Sequence, residues 1–255
     1  MERNASCKGI VLRNFRIGEI HKGVVLLTDR FGLVSSIAHG AYSQKGKLRG
    51  VTNLFCTGTF YLYHNPAKNS TKITDVQIDA FHQDIRSDLS AFYAASLWSE
   101  VVIKSYGGGD DGRELWRLLV RALEAVDAAA VSPGGHRVSL ISVQFLWRYL
   151  AVIGVRPDLG ACAATGAGLE VAERASYSRM HGGFVSPEFT EASDISLSRG
   201  ARRYLEHTQE LSLDRALLVR LDPESLSALK RALFAMVQDT VESPLNTLRI
   251  GEGFL

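Results

Sequence analysis

Short runs in which apolar and polar positions alternate fill the first part of the chain, and Gly, Asp, Asn and Lys separate them. Five of these runs are rich in β-branched and aromatic residues. They predict strands over Gly9 to Phe15, Gly23 to Thr28, Gly32 to Ala38, Asn53 to Tyr63 and Thr71 to Ile78. Five short strands so close in sequence predict a small barrel. Asp29-Arg30-Phe31-Gly32 reads as a tight hairpin, whereas His39 to Gly50 is too polar and glycine-rich for a strand and too basic for an idle loop.

From Ala80 the spacing of apolar residues lengthens to three or four. Phe81, Ile85, Leu89, Phe92, Tyr93 and Leu97 predict one face of a long helix running towards Tyr106, stopped by Gly107-Gly108-Gly109. Asp111, three residues before Glu114, resembles a capping box, and Leu115, Leu118, Leu119 and Leu123 carry the stripe of a second helix. Beyond Pro133-Gly134-Gly135, a third helix from Arg137 to Ile153 is apolar around much of its circumference, as a central helix would be. An irregular stretch, 157–193, follows. Two helices close the chain, one near Ser198 to Gln209 and one opening with Asp222 as cap and Pro223 at the first helical position. The expected architecture is α+β, with a barrel domain over 1–79 and an α-helical domain over 80–255.

Charge sharpens that division. Up to Lys72 there are eleven Lys or Arg against three acids, a net +8, and the remainder holds eighteen bases against twenty-four acids, a net −6. The overall +2 therefore conceals a cationic β module joined to an acidic helical body. A polyanion suits the first, because Lys and Arg that neutralise phosphates release condensed counterions. Cys7, Cys56 and Cys162 are widely spaced and form no CxxC pair, so neither a disulfide framework nor a zinc ribbon is indicated. The first residues lack an apolar signal core, and no apolar run reaches the about 18 residues of a membrane span. A cytoplasmic protein without a membrane partner is expected.

The familiar catalytic motifs are missing. Gly46-Lys47 is followed by Leu48, not Ser or Thr, so it is no phosphate-cradling loop, and there is no HExxH or GxSxG. Asp110, Asp111 and Glu114 are the one acidic cluster that could hold a metal, but acids in a helix's first turn are the ordinary complement of its dipole. The basic residues form a stronger constellation. Arg13, Arg16, Lys22, Lys45, Lys47 and Arg49 come from neighbouring strands and loops and are the candidate nucleic-acid-binding residues. Lys45, Lys47 and Arg49 are so closely spaced that they repel one another without an anion. Phe55, Tyr61 and Tyr63 share one parity on the fourth strand, either as platforms for stacked bases or as ordinary core.

Gly9-Ile10-Val11-Leu12-Arg13, the Gly18-Glu19 turn, Val25-Leu26-Leu27-Thr28, Phe31-Gly32-Leu33 and Ala38-His39-Gly40-Ala41 with Lys45-Gly46-Lys47-Leu48-Arg49-Gly50 resemble the RecO family of bacterial DNA repair proteins. The resemblance continues through Asp88-Leu89, Tyr93-Ala94, Leu115-Trp116-Arg117-Leu118-Leu119, Pro157-Asp158-Leu159 and Gly182-Gly183-Phe184. It implies a five-stranded OB-fold followed by a helical body, and a recombination mediator rather than an enzyme. Such a protein would bind single- and double-stranded DNA and anneal complementary strands. It would also engage the acidic tail of the single-stranded-DNA-binding protein and, with RecR, help load RecA. The alternative is a nucleic-acid-processing enzyme, a nuclease or nucleotidyl transferase, with the barrel as its binding module.

Many family members carry a four-cysteine zinc site in the irregular segment. The corresponding positions here read Cys162, Thr165, Ser186 and Phe189, and one thiol cannot close a tetrahedral site, so a zinc-finger-like but zinc-less segment is expected, with no metal and no cofactor. The resemblance also implies that the third helix docks the partner's tail. Arg137 would grip the carboxylate, and Leu140, Ile141 and Phe145 would form the apolar edge.

Overall fold

The computed structural model describes residues 3–108, 112–131, 135–251 and 253–255, which divide into two compact units, Met1–Val131 and Ser132–Leu255. In the first unit, strands β1 (Asn4–Ile17), β2 (His21–Thr28), β3 (Gly32–Ala38), β4 (Thr57–Asn65) and β5 (Ser70–Ala80) close into a barrel in the order β1-β2-β3-β5-β4. Every pairing is antiparallel except β3 with β5, joined by a parallel bridge between Ile37 and Lys72. The pleat sends Phe60 and Leu62 of β4 inward with Val11, Val24, Leu26, Val34 and Ile73, while Tyr61 and Tyr63 point out. Burying each such side chain contributes about 1.5–3 kcal/mol. Gly9 leaves the space that the Phe60 ring fills, since a β-carbon there would lie 2.8 Å from it.

Two expectations change at the barrel's edges. The fourth strand begins at Thr57, not Asn53, because Phe55 adopts a left-handed φ of 68° that no strand accommodates. Its ring is buried, edge-on to Phe92. The first helix, α1 (Leu89–Ser105), begins where the Asp88 carboxylate accepts from the Ala91 amide, nine residues later than the apolar spacing predicts. Phe81 and Leu89, counted in the helical stripe, are exposed.

Helix α2 (Gly112–Ala130) follows. The proposed cap at Asp111, with Gly109 and Asp110, lies outside the described residues. Both α1 and α2 belong to the same compact unit as the barrel, so the contact boundary falls at 131 although the sequence pattern changes at 80. Buried His82 joins the parts. Its ring lies 3.4 Å from the Thr57 hydroxyl on β4 and 3.8 Å from the Asp127 carboxylate on α2, and that carboxylate also accepts from the Ile85 amide.

The second unit is built on α3 (His136–Val152), which packs on α6 (Pro223–Asp239). The segment expected to be irregular supplies β6 (Arg174–Ser178) and β7 (Gly183–Val185), which join β8 (Ile195–Ser198), just beyond it, in a three-stranded antiparallel sheet in the order β7-β6-β8. Helices α4 (Arg199–Thr208), α5 (Leu213–Ala216) and α7 (Asn246–Ile250) complete the unit, the last two unannounced by any apolar period. Asp222 caps α6 as expected, accepting from the Ser225 amide. Arg148 donates to the carbonyls of Thr208, at the end of α4, and Leu211. None of the described helices is long and apolar enough to cross a membrane.

Burial lowers the pKa of His82 despite the opposing pull of Asp127 and Glu124. The folded protein therefore resists a proton that the unfolded chain takes up below about pH 6.5, so stability is full above that range and declines as the pH falls towards the folded value. Urea unfolding from pH 7.5 to 5.5 is expected to show this decline. His82→Asn, which tolerates the local φ of 44°, should flatten it.

Candidate nucleic-acid interface

The segment joining β3 to β4 is a series of linked turns. The Ser43, Gly46, Arg49, Asn53 and Cys56 amides each donate three residues back, to the Gly40, Ser43, Gly46, Gly50 and Asn53 carbonyls. Gly46 packs on the backbone of Gly40 and Ala41 so closely that a side chain would collide with the Gly40 carbonyl. Glycine at that position is thus a matter of close approach and not of phosphate cradling. Ala41, Leu48 and Cys56 turn inward and close one end of the barrel core. With Leu48 directed inward, Lys45, Lys47 and Arg49 are all exposed on the outer side.

Lys22 behaves differently from the other predicted cations. It is 2% exposed, and its ammonium donates to the carbonyls of Arg49 (3.0 Å) and Thr52 (3.4 Å) and to Asn53 Oδ1 (3.2 Å). Burial lowers its pKa, and the charge of Arg49 adds to the shift. Phosphate contact by Lys22 is therefore corrected: the side chain holds the basic segment against β2 from beneath. A lone lysine at the head of the apolar run of β2 gives no sign in the sequence that it is buried with that run.

Around this anchor the structure gathers exposed cations and rings. Arg16 lies over the Tyr42 ring at 5.5 Å from its centroid and donates to the carbonyls of Gly18 and Glu19, while Lys22 Nζ approaches the same ring at 5.2 Å. Arg13 lies over Phe15 at 5.6 Å. Phe15 is 46% and Tyr42 37% exposed. These two rings, absent from the predicted aromatic set, lie beside the cations. Of that set, Phe55 is core, Tyr61 is exposed on β4, and Tyr63 is half-buried beneath Lys72, whose ammonium sits 4.8 Å from its centroid. The signal for Tyr42 was its place inside the basic loop, between Gly40 and Lys45.

A cationic barrel surface with exposed rings is one half of a pattern whose other half is the helical body, and family comparison matches both. The model for Recombination protein O N terminal matches residues 1–81, and that for Recombination protein O C terminal matches 86–249. The chain belongs to the recombination protein O family. A DNA repair protein RecO of an Exiguobacterium species is 29% identical over 95% of this chain and 93% of its own length. The DNA repair protein RecO of Symbiobacterium thermophilum is 26% identical over 94% and 93%, and that of Dehalococcoides mccartyi 25% over 92% and 90%. The barrel is the family's OB-fold, and membership assigns the chain to DNA repair.

Family resemblance directs attention to Cys162, Thr165, Ser186 and Phe189. The Ser186 amide donates to Cys162 Sγ at 3.4 Å, and the thiol lies 3.8 Å from Ser186 Oγ. A hydrogen bond from Thr165 is the main cause of a thiol pKa lowered to about 6, with the Ser186 amide adding to it. One sulfur, two neutral hydroxyls and a phenyl ring do not fit tetrahedral zinc. Among the described residues no group of three or more His, Cys, Asp or Glu is placed to hold a metal ion.

The expected tail-docking face requires correction. Ile141 and Phe145 are fully buried and Leu140 is 6% exposed, so these side chains are core of the second unit and line no open groove. Arg137, in the first turn of α3, is exposed. A cavity of about 450 Å³ elsewhere in the unit, lined in part by Arg179, Lys230, Arg231, Phe234 and Leu248, combines cations with apolar walls.

Replacing Lys22 by Met removes a donor to three oxygens. The expected loss of stability is about 1–3 kcal/mol, as for buried groups left unsatisfied. Lys45→Ala and Lys47→Ala, on the exposed side of the same segment, should each stay within about 0.5 kcal/mol of the parent. Urea unfolding of the three variants makes the comparison.

Proposed function

We propose that this protein acts in the cytosol as a recombination mediator. It binds single- and double-stranded DNA through the barrel, anneals complementary single strands, and, with RecR and the single-stranded-DNA-binding protein, helps load RecA. The observation that carries the reading is the β3–β4 segment, where a buried lysine fixes three exposed cations beside Arg13, Arg16, Phe15 and Tyr42. Guanidinium and ammonium groups contact phosphates without regard to sequence, and the rings offer stacking worth about 1–3 kcal/mol per base. Holding two strands by their backbones leaves the base edges free to pair, which is what annealing requires. No catalysis enters this account. For the enzymatic alternative, Asp110 and Asp111 lie outside the described residues and Glu114 is an exposed acid in the first turn of α2.

Mixing the protein with complementary labelled strands, without nucleotide and then with magnesium, should give annealing and no cleavage. Lys45→Ala/Lys47→Ala/Arg49→Ala should slow annealing and make the salt dependence of single-strand binding shallower by about 0.7 per lost contact. An unchanged slope removes the segment from the interface.

For the partner's acidic tail, Arg137 remains the proposed carboxylate ligand, because it is the one predicted docking residue on the surface. Arg137→Ala should weaken a synthetic tail peptide by about 1.5–3 kcal/mol, the range for hydrogen bonds to charged groups, with little change in DNA affinity. Full peptide binding by Arg137→Ala together with loss in Arg231→Ala would move the docking site to the cavity beside α6.

A further inference from the structure

The end of β3 and the β4–β5 hairpin enclose a cleft of about 310 Å³ on the barrel, lined in part by Ile37, His39, Tyr63, Lys68, Thr71 and Lys72. None of the described residues that line it is acidic. The cations come from the pairing itself. The antiparallel register sets Tyr63 opposite Lys72, and the parallel bridge sets Ile37 opposite the same lysine, so Lys72 stands at the junction of three strands. Lys68 is carried by the hairpin turn between β4 and β5. His39 brings a third group. Its ring meets His21 edge-on at 4.8 Å, and its pKa is lowered by burial first and then by the charges of His21 and Lys72. One wall is aromatic, one is aliphatic, and the rim bears two ammonium groups.

This cleft is continuous with the basic segment. His39 and Gly40 open that segment, the Gly40 amide donates to His21 Nδ1 at 3.0 Å, and the Tyr42 amide donates to the carbonyl of Ile20. A chain laid across Tyr42 and past the His21–His39 pair arrives at Lys72.

We propose that the cleft seats one nucleotide of a single DNA strand that also crosses the basic segment, with its phosphate on Lys68 and Lys72 and its base on the Tyr63 ring. The inference rests on the DNA-binding reading above and extends it to residues that neither the charge runs nor the aromatic pattern singled out as a unit. At rest the Lys72 ammonium covers the Tyr63 ring. An arriving phosphate is the stronger partner for the ammonium, since it brings a full negative charge where the ring face offers only a quadrupole. Drawing Lys72 to the phosphate uncovers the ring for the base, so one movement completes both halves of the seat.

The test uses the full-length protein and a fluorescein-labelled oligothymidylate of about 16 nucleotides, long enough to cover one OB-fold. Anisotropy titrations at several salt concentrations compare three variants whose melting curves match the parent. Lys68→Ala/Lys72→Ala should make the salt slope shallower by about 1.4, two contacts at about 0.7 each. Tyr63→Leu, which changes no charge, should keep the parent slope and weaken binding about tenfold, as loss of one stacked base would. The triple variant of the basic segment serves as the reference. If that variant loses slope while Lys68→Ala/Lys72→Ala does not, the cleft is no phosphate site and the DNA-binding reading stands. If neither loses slope, both fall. Parent-like affinity in Tyr63→Leu overturns the nucleotide seat even where the lysines matter.

Discussion

An ammonium group removed from water must be given oxygen acceptors, and in this barrel the requirement falls on Lys22. Its three acceptors come from Arg49, Thr52 and Asn53, so the charge cannot be satisfied unless the whole β3–β4 segment lies back across the end of β2. The same folding-back lets Ala41, Leu48 and Cys56 complete the apolar core. With Leu48 packed on that core, the cations flanking it face water. A buried ammonium without acceptors is strongly destabilising, whereas a fully met one is close to neutral, so the anchor serves position more than net stability. It converts a glycine-rich stretch into a fixed array of cations.

On the proposed reading that array is preorganised for a polyanion. Three like charges on adjacent outward positions repel, and the rings nearby are partly covered by guanidinium groups. On the proposed reading both tensions are relieved by one ligand. Phosphate neutralises the cations, and each guanidinium that leaves a ring opens a face to a base. The exchange runs forward because stacking a base is worth more than an exposed cation–π contact, about 1–3 against about 0.5–1 kcal/mol. Neither step depends on base identity, which suits the proposed annealing role.

Much of the barrel was legible because its strands are short runs of β-branched and apolar residues cut by Gly, Asp and Asn, alternating in β3 and continuously buried in β2. Gly32 to Ala38 was read to the residue, and the other strands differ mainly by fraying outward along the ladders. The failures have physical causes. Phe55 sits in an extended-looking run, but its left-handed backbone is imposed by the turn that brings its ring to Phe92. Lys22 reads as a surface lysine because the acceptors that bury it lie twenty-seven to thirty-one residues away. The late start of α1 was readable: Asp88 before Leu89-Ser90-Ala91 is a capping signal that the apolar spacing obscured. The small sheet of β6, β7 and β8 was not, since strands of three to five residues carry too few alternations to announce a period.

The second unit shows why an apolar helix is a poor guide to a docking face. Helix α3 is apolar on several sides because it is central, and polar groups on it fix its rotation. Gln144 donates to the Tyr204 hydroxyl at 3.0 Å and the Thr208 hydroxyl at 2.9 Å, while Arg148, one turn on, holds the Thr208 and Leu211 carbonyls. Turning α3 enough to bring Ile141 or Phe145 to the surface would break all four bonds, and the two from Gln144 are fully buried, where each unmet group costs about 1–3 kcal/mol. A peptide of modest affinity cannot supply that much in addition to its own ordering cost. On the proposed reading, a docking tail would therefore meet what the surface already offers, the exposed guanidinium of Arg137 or the cations around the α6 cavity.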